Sequence, residues 1–187
     1  MRASLSFLTS TSITGDDRCE APAPQTLELL GYDRASHRLI ARERVGEHVT
    51  QLIVIATRGE HAGAPMALAP DALPRMRVEL APLAPLPLAG FELTTRVIQR
   101  RGLRVSSDGS PIRKFALALG VRQHVGGFAT GAGRQVVTAY LRPRAGLRQV
   151  FALPDGVGAV AVVTFCGSPL GVGAERDAAV LITPPMH

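Results

Sequence analysis

No stretch of this chain keeps an apolar 3.6-residue period beyond two turns before Gly or Pro interrupts it. What recurs instead is the short run rich in Val, Leu, Ile and Thr, closed at each end by Gly, Pro or Asp-Gly. Ten such runs read as strands: 27–32, 38–45, 50–57, 75–80, 91–101, 112–121, 135–142, 148–153, 158–165 and 178–183. The best helical candidate, 70–76, is short. Many strands and little helix predict an all-β protein, a mostly antiparallel sandwich or barrel-like domain of about ten strands.

The chain has 187 residues, enough to bury a sizeable core in one domain without cross-links or metals. Aromatic residues make up 4% and Trp is absent, so that core must be built from Val, Leu, Ile and Ala. Two apolar, Pro-rich segments, 61–70 and 81–90, read as loops without regular structure. Pro82-Leu83-Ala84-Pro85 fits a polyproline ligand, but its leucines better suit a loop crossing between sheets. A single domain over 1–187 is expected, with the 81–90 loop as the sub-boundary if 1–80 and 91–187 form half-domains.

Charge is distributed unevenly. Residues 96–148 hold eleven basic side chains and one acid, Asp108, whereas residues 1–90 hold nine basic and ten acidic. The net charge of +6 therefore belongs to the second half, and it sets which partners are attracted. Twenty of the 21 basic residues are Arg, and Lys114 is the one Lys.

Two alternating runs flank Asp108-Gly109, which marks a hairpin turn. A two-residue loop there would pair Arg104 with Arg113 and place Phe115, Leu117 and Leu119 on the face of Arg96 and Arg100. That register is poor, because a slip of one residue turns every side chain to the other face. A loop longer by an odd number of residues, or a bulge, repairs it. Leu93, Thr95 and Val97 then share a face with Phe115, Leu117, Leu119 and Val121. The opposite face is predicted to collect Arg96, Arg100, Arg104, Lys114 and Arg122. Few aromatics interleave these cations, so a duplex backbone or an acidic protein surface suits them better than stacked bases.

Other chemistry is thinly supplied. The run 126–134, Gly-rich and ending in Arg134, lacks the Lys-Ser/Thr close of a phosphate loop and leads into a strand. It reads as a flexible loop, with an anion nest beside Arg134 as its functional option. The five histidines show no ligand spacing, and no metal or cofactor is expected. Cys166-Gly167-Ser168 lacks the Gly-x-Ser-x-Gly spacing of a nucleophile elbow. Cys19 and Cys166 are too few for a disulfide framework, and Cys166 reads as a buried thiol, with one long-range bridge as the alternative. The N-terminal residues are too polar for a secretory signal, so a cytoplasmic location is expected, with secretion as the alternative. No apolar run approaches the length of a spanning helix.

Three stretches, 32–41, 107–112 and 153–161, each carry a turn leading into an apolar strand, twice through Asp-Gly. They resemble blade fragments of the TolB- and WD40-type propeller repeats. Asp33, Asp108 and Asp155 stand 75 and 47 residues apart, unlike the roughly 40–45 of a regular blade. The resemblance implies a small propeller-like β repeat as the alternative fold, and a binding scaffold as its use.

The expected function is a non-catalytic binding or assembly module. Arg96, Arg100, Arg104, Lys114 and Arg122, with Arg134 beside them, would contact an acidic protein surface or another polyanion. Two other classes stand beside it. One is an enzyme with a spatially assembled site, in which Cys166, His124 and Asp155 would take part. The other is a homo-oligomeric structural subunit joined through strand edges.

Overall fold

Residues Ala159–Cys166 are apolar except at Thr164, and all eight are buried. A strand with no solvent-facing side needs a packed layer on each side, and the rest of the fold follows from that requirement. In the computed structural model the described residues are 5–6, 19, 24–105, 111–140, 144–154, 156, 158–167 and 174–184. They form strands β1 (Leu5–Ser6), β2 (Gln25–Asp33), β3 (Arg38–Val45), β4 (His48–Ala56), β5 (Pro65–Leu68), β6 (Leu80–Ala81) and β7 (Ala84–Leu86). After these come β8 (Phe91–Val105), β9 (Pro111–Val125), β10 (Phe128–Tyr140), β11 (Ala145–Ala152), β12 (Ala159–Cys166) and β13 (Glu175–Ile182). A short α-helix, α1 (Leu73–Met76), and a 3-10 turn at Leu88–Gly90 interrupt them.

The larger sheet runs β5-β4-β3-β2-β13-β12-β11-β7, and the smaller runs β1-β8-β9-β10. All neighbours are antiparallel except β2 and β13, which touch through a single parallel bridge, Arg176↔Gln25. At that seam the large sheet divides into two leaves. Leu27, Tyr32, Leu39, Ala41, Ile53 and Ile55 of the β2–β4 leaf form one apolar cluster with Val160, Ala179 and Leu181. The alternate residues of the same strands, Ala159, Ala161, Val163, Val180 and Ile182, pack with Leu93, Leu117, Leu119 and Val121 of the smaller sheet. Strands β12 and β13 therefore belong to a middle layer, sending successive side chains into opposite cores. Each fully buried Val, Leu or Ile there contributes about 1.5–3 kcal/mol.

The protein is thus all-β and sandwich-like, with no closed barrel. The propeller-like alternative does not describe it: two sheets of unequal size replace a ring of four-stranded blades. Of the three blade-like stretches, 32–41 is the β2–β3 hairpin. Its turn is closed by Asp33, whose carboxylate accepts from the Ser36 hydroxyl and, at 3.1 Å, from the Ala35 N–H. The Ser36 bond, foremost among these contacts, holds the Asp33 pKa below the usual aspartate value.

Several sequence expectations are corrected. The strand expected at 75–80 is instead the end of α1 followed by irregular chain, because the helix expected at 70–76 occupies Leu73–Met76. The Pro-rich segments are not bare loops. Strand β5 pairs with β4, while β7 pairs with β11, so Pro65 and Pro85 sit on sheet edges, where a missing N–H is tolerated. The run 126–134 is not a flexible loop. Gly126 and Gly127, at φ of 57° and 85°, make the two-residue turn between Val125 and Phe128, and the rest is strand β10.

Gly133, later in the same run, is required by packing. Ala132 exchanges both backbone hydrogen bonds with Thr183, at 3.0 Å each, so β10 lies directly against the end of β13. A Cβ on Gly133 would stand 1.9 Å from the Leu181 carbonyl oxygen. Gly133→Ala is therefore expected to cost about 1–3 kcal/mol, the range for forced overpacking. Chemical denaturation measures it, and a cost below about 0.5 kcal/mol would show that the two strands can part freely here.

Cys19 and Cys166 form a disulfide, with Cα atoms 5.6 Å apart, so Cys166 is not the free buried thiol expected from its apolar surroundings. Among the described residues no helix is long and apolar enough to cross a membrane.

Candidate functional site

The β8–β9 pairing follows the odd register. Val105 lies opposite Pro111, leaving five residues between them, and Leu93, Thr95 and Val97 lie opposite Val121, Leu119 and Leu117. The Asp108-Gly109 turn itself falls outside the described residues. Two bulges interrupt the pairing, at Ile98 and at Arg101. The first reverses the facing of β8 and the second restores it. By register Arg96 lies opposite Ala118 and Arg104 opposite Ile112, at pleat positions in phase with Lys114 and Arg122. Arg100 pairs with Phe115 and is carried to the other face. Its expected place in the cationic cluster is thus corrected: nothing in the alternation of 91–101 marks the positions of the bulges.

Strand β10 completes this face. Arg134 pairs with Gly120, Val136 with Ala118 and Thr138 with Ala116. The centre of the sheet is thus a column of small residues, Gly120, Ala118 and Ala116, bounded by Arg96 on β8, Arg134 on β10 and Arg122 at one end. Arg96, Arg122 and Arg134 are all exposed. Glu92, opposite Arg122, is the acid of this face, and its Oε2 lies 3.2 Å from His124 Nε2.

Lys114 has a different setting. It is half-buried, with its Nζ 6.0 Å from the centre of the Tyr140 ring, and it lines a cleft of about 480 Å³. The cleft lies where β10, beyond its bridge to Thr183, faces residues of the β2–β5 leaf. Its floor is Leu27, Ile53, Ile55 and Pro65, and its far wall is Val136 and Thr138. Sequence reasoning missed it, since its lining comes from strands distant in the chain.

Two buried acids border this cleft, and both are internally satisfied. Asp177 accepts from the Leu27 N–H at 2.9 Å, the Thr164 hydroxyl at 2.6 Å and Arg148 Nη1 at 2.6 Å. Glu43 accepts from Thr50 Oγ1 at 3.1 Å and Gln51 Nε2 at 3.0 Å, with Arg176 Nη2 at 3.4 Å. Asp177 sits beside the single bridge between the two leaves and pins β2 to β13 there.

Three residues were expected for an assembled active site: Cys166, His124 and Asp155. The Cys166 sulfur is committed to Cys19, His124 faces Glu92, and Asp155 lies outside the described residues. No group of three His, Cys, Asp or Glu side chains suited to a metal ion occurs among the described residues. Fold and site together define a sandwich-like β protein with a cationic sheet face and a cleft that adjoins it along Val136 and Thr138. Compared with family models, with curated proteins and with solved structures, the chain matches none.

Proposed function

We propose that this protein is a binding module whose cationic β8–β9–β10 face meets an extended acidic partner. One observation carries the reading: Arg96, Arg122 and Arg134 surround a column of Gly120, Ala118 and Ala116. The two alanines are buried beneath their larger neighbours, and the exposed guanidinium groups on either side of them offer forks to the oxygens of a polyanion. Arg104 continues the series toward the β8–β9 turn by register. The Cys19–Cys166 bridge favours an oxidising compartment over the cytoplasm, because such bonds persist where thiols are not kept reduced.

Heparin chromatography and salt titration test this reading. Wild type is retained and released by moderate salt. The variant with Arg96, Arg122 and Arg134 all changed to Ser elutes near the void. Its logarithmic salt dependence is shallower by up to about 0.9 for each anionic group no longer neutralised. A control with Arg100, Arg101 and Arg113 changed to Ser has the same net charge as that variant but keeps most of the retention. Equally weakened retention in both variants would reduce the effect to net charge and sink the assignment to this face.

A further inference from the structure

We infer that the cleft beside β10, which adjoins the cationic face, is a second site and takes a small monocarboxylate with an apolar body. Its volume of about 480 Å³ lies within the range of small-molecule pockets, about 300–1,000 Å³. Ile53, Ile55 and Pro65 give it an apolar floor suited to a hydrocarbon tail or ring.

The charge pattern selects an anionic head. Both acids of the lining are engaged, Asp177 with Arg148 and Glu43 with Arg176. Among the described residues Lys114 has no carboxylate within ion-pair distance, and its contact is the Tyr140 ring. An ammonium at an apolar floor, with no carboxylate partner among the described residues, is an incomplete ion pair, and a ligand carboxylate completes it. The chain uses Arg at its other 20 basic positions and Lys here. A compact ammonium makes a point contact in a confined space where a guanidinium fork would fill it.

The edge of β10 adds a donor. Because Ala132 turns its N–H and C=O away from β9 toward Thr183, the two-residue period turns those of Arg134, Val136 and Thr138 the same way. Among the described residues these groups have no backbone partner on that edge. At Thr138 that edge lies against Gly167, and the N–H of Val136 is the donor it offers to a carboxylate oxygen on the wall that Lys114 shares.

Isothermal titration of the whole protein tests the site with three probes of equal chain length: decanoate, decanol and decyltrimethylammonium. Decanoate binds at one site per chain, at least ten-fold more tightly than decanol, and the cation does not compete. Lys114→Met weakens decanoate at least ten-fold and leaves decanol unchanged. Ala67→Trp, on the exposed rim, blocks both and provides a second reading if Lys114→Met fails to fold. The Arg96, Arg122 and Arg134 variant binds decanoate normally, so this result and the heparin result can fail separately. Equal binding of all three probes, several sites per chain, no decanoate binding at millimolar concentration, or an unchanged Lys114→Met would each overturn the inference.

Discussion

Asp177→Ala is expected to lower stability by about 3–5 kcal/mol, which for a chain of this size moves the melting temperature by about 10 °C. The size of the effect follows from what the carboxylate holds. Its side chain is 2% exposed and receives three donors: a backbone N–H from β2, a hydroxyl from β12 and a guanidinium from β11. Alanine would leave the Leu27 N–H and the Thr164 hydroxyl buried without their acceptor, and each such orphaned group carries a desolvation penalty of about 1–3 kcal/mol. The damage falls where the two leaves of the large sheet meet through one bridge, so amide exchange in β2 should accelerate more than exchange in β9. Asp177→Asn keeps the volume and one acceptor oxygen, and should destabilise less. Glu175→Ala, two residues away and exposed, should change stability by less than about 0.5 kcal/mol. A change below about 1 kcal/mol in Asp177→Ala would mean that the seam does not depend on this group.

Opening the Cys19–Cys166 bridge is expected to cost about as much, by a different route. The cross-link closes a loop of 147 residues, and the chain-entropy relation assigns such a loop about 5 kcal/mol of restriction on the unfolded state. The double variant Cys19→Ser, Cys166→Ser should unfold at lower denaturant concentration, with a steeper dependence because its unfolded state exposes more surface. Reductant should bring wild type to the same midpoint and leave the variant unmoved. A wild-type midpoint that ignores reductant would show that the bridge contributes little, since a native thiol pair could then hold the same structure unaided.

What could be read in advance, and what could not, divides by the range of the physics involved. Period-two alternation and punctuating Gly and Pro are local, so 38–45, 91–101 and 112–121 declared themselves as strands. The β8–β9 register was also accessible, because apolar residues on both strands must share one face. The bulges at Ile98 and Arg101 were not, since an inserted residue leaves no mark in composition, and Arg100 was misplaced as a result. The run 158–165 was visible as apolar. Nothing in it says whether a strand is half-buried or enclosed on both sides, which depends on layers supplied by other segments. The cleft was hidden for the same reason. Leu27 meets Asp177 across 150 residues, and Glu43 meets Arg176 across 133. Lys114 could have drawn attention as the lone lysine, but its neighbours could not have been named.

The middle layer has a consequence for how the protein is made. Strands β2–β5 and β8–β10, which pack against opposite sides of β12 and β13, precede β11, β12 and β13 in the chain. During vectorial synthesis both groups therefore leave the ribosome before the strands that join them exist. Neither apolar cluster can close until residues 145–182 arrive, since both depend on Val160, Val180 and their neighbours. Two exposed apolar sheet faces on one nascent chain are a hazard for mispairing, and long-range strand pairing is slow. Both clusters should accordingly close only once residues 145–182 have emerged, and formation of the Cys19–Cys166 bond would mark that moment.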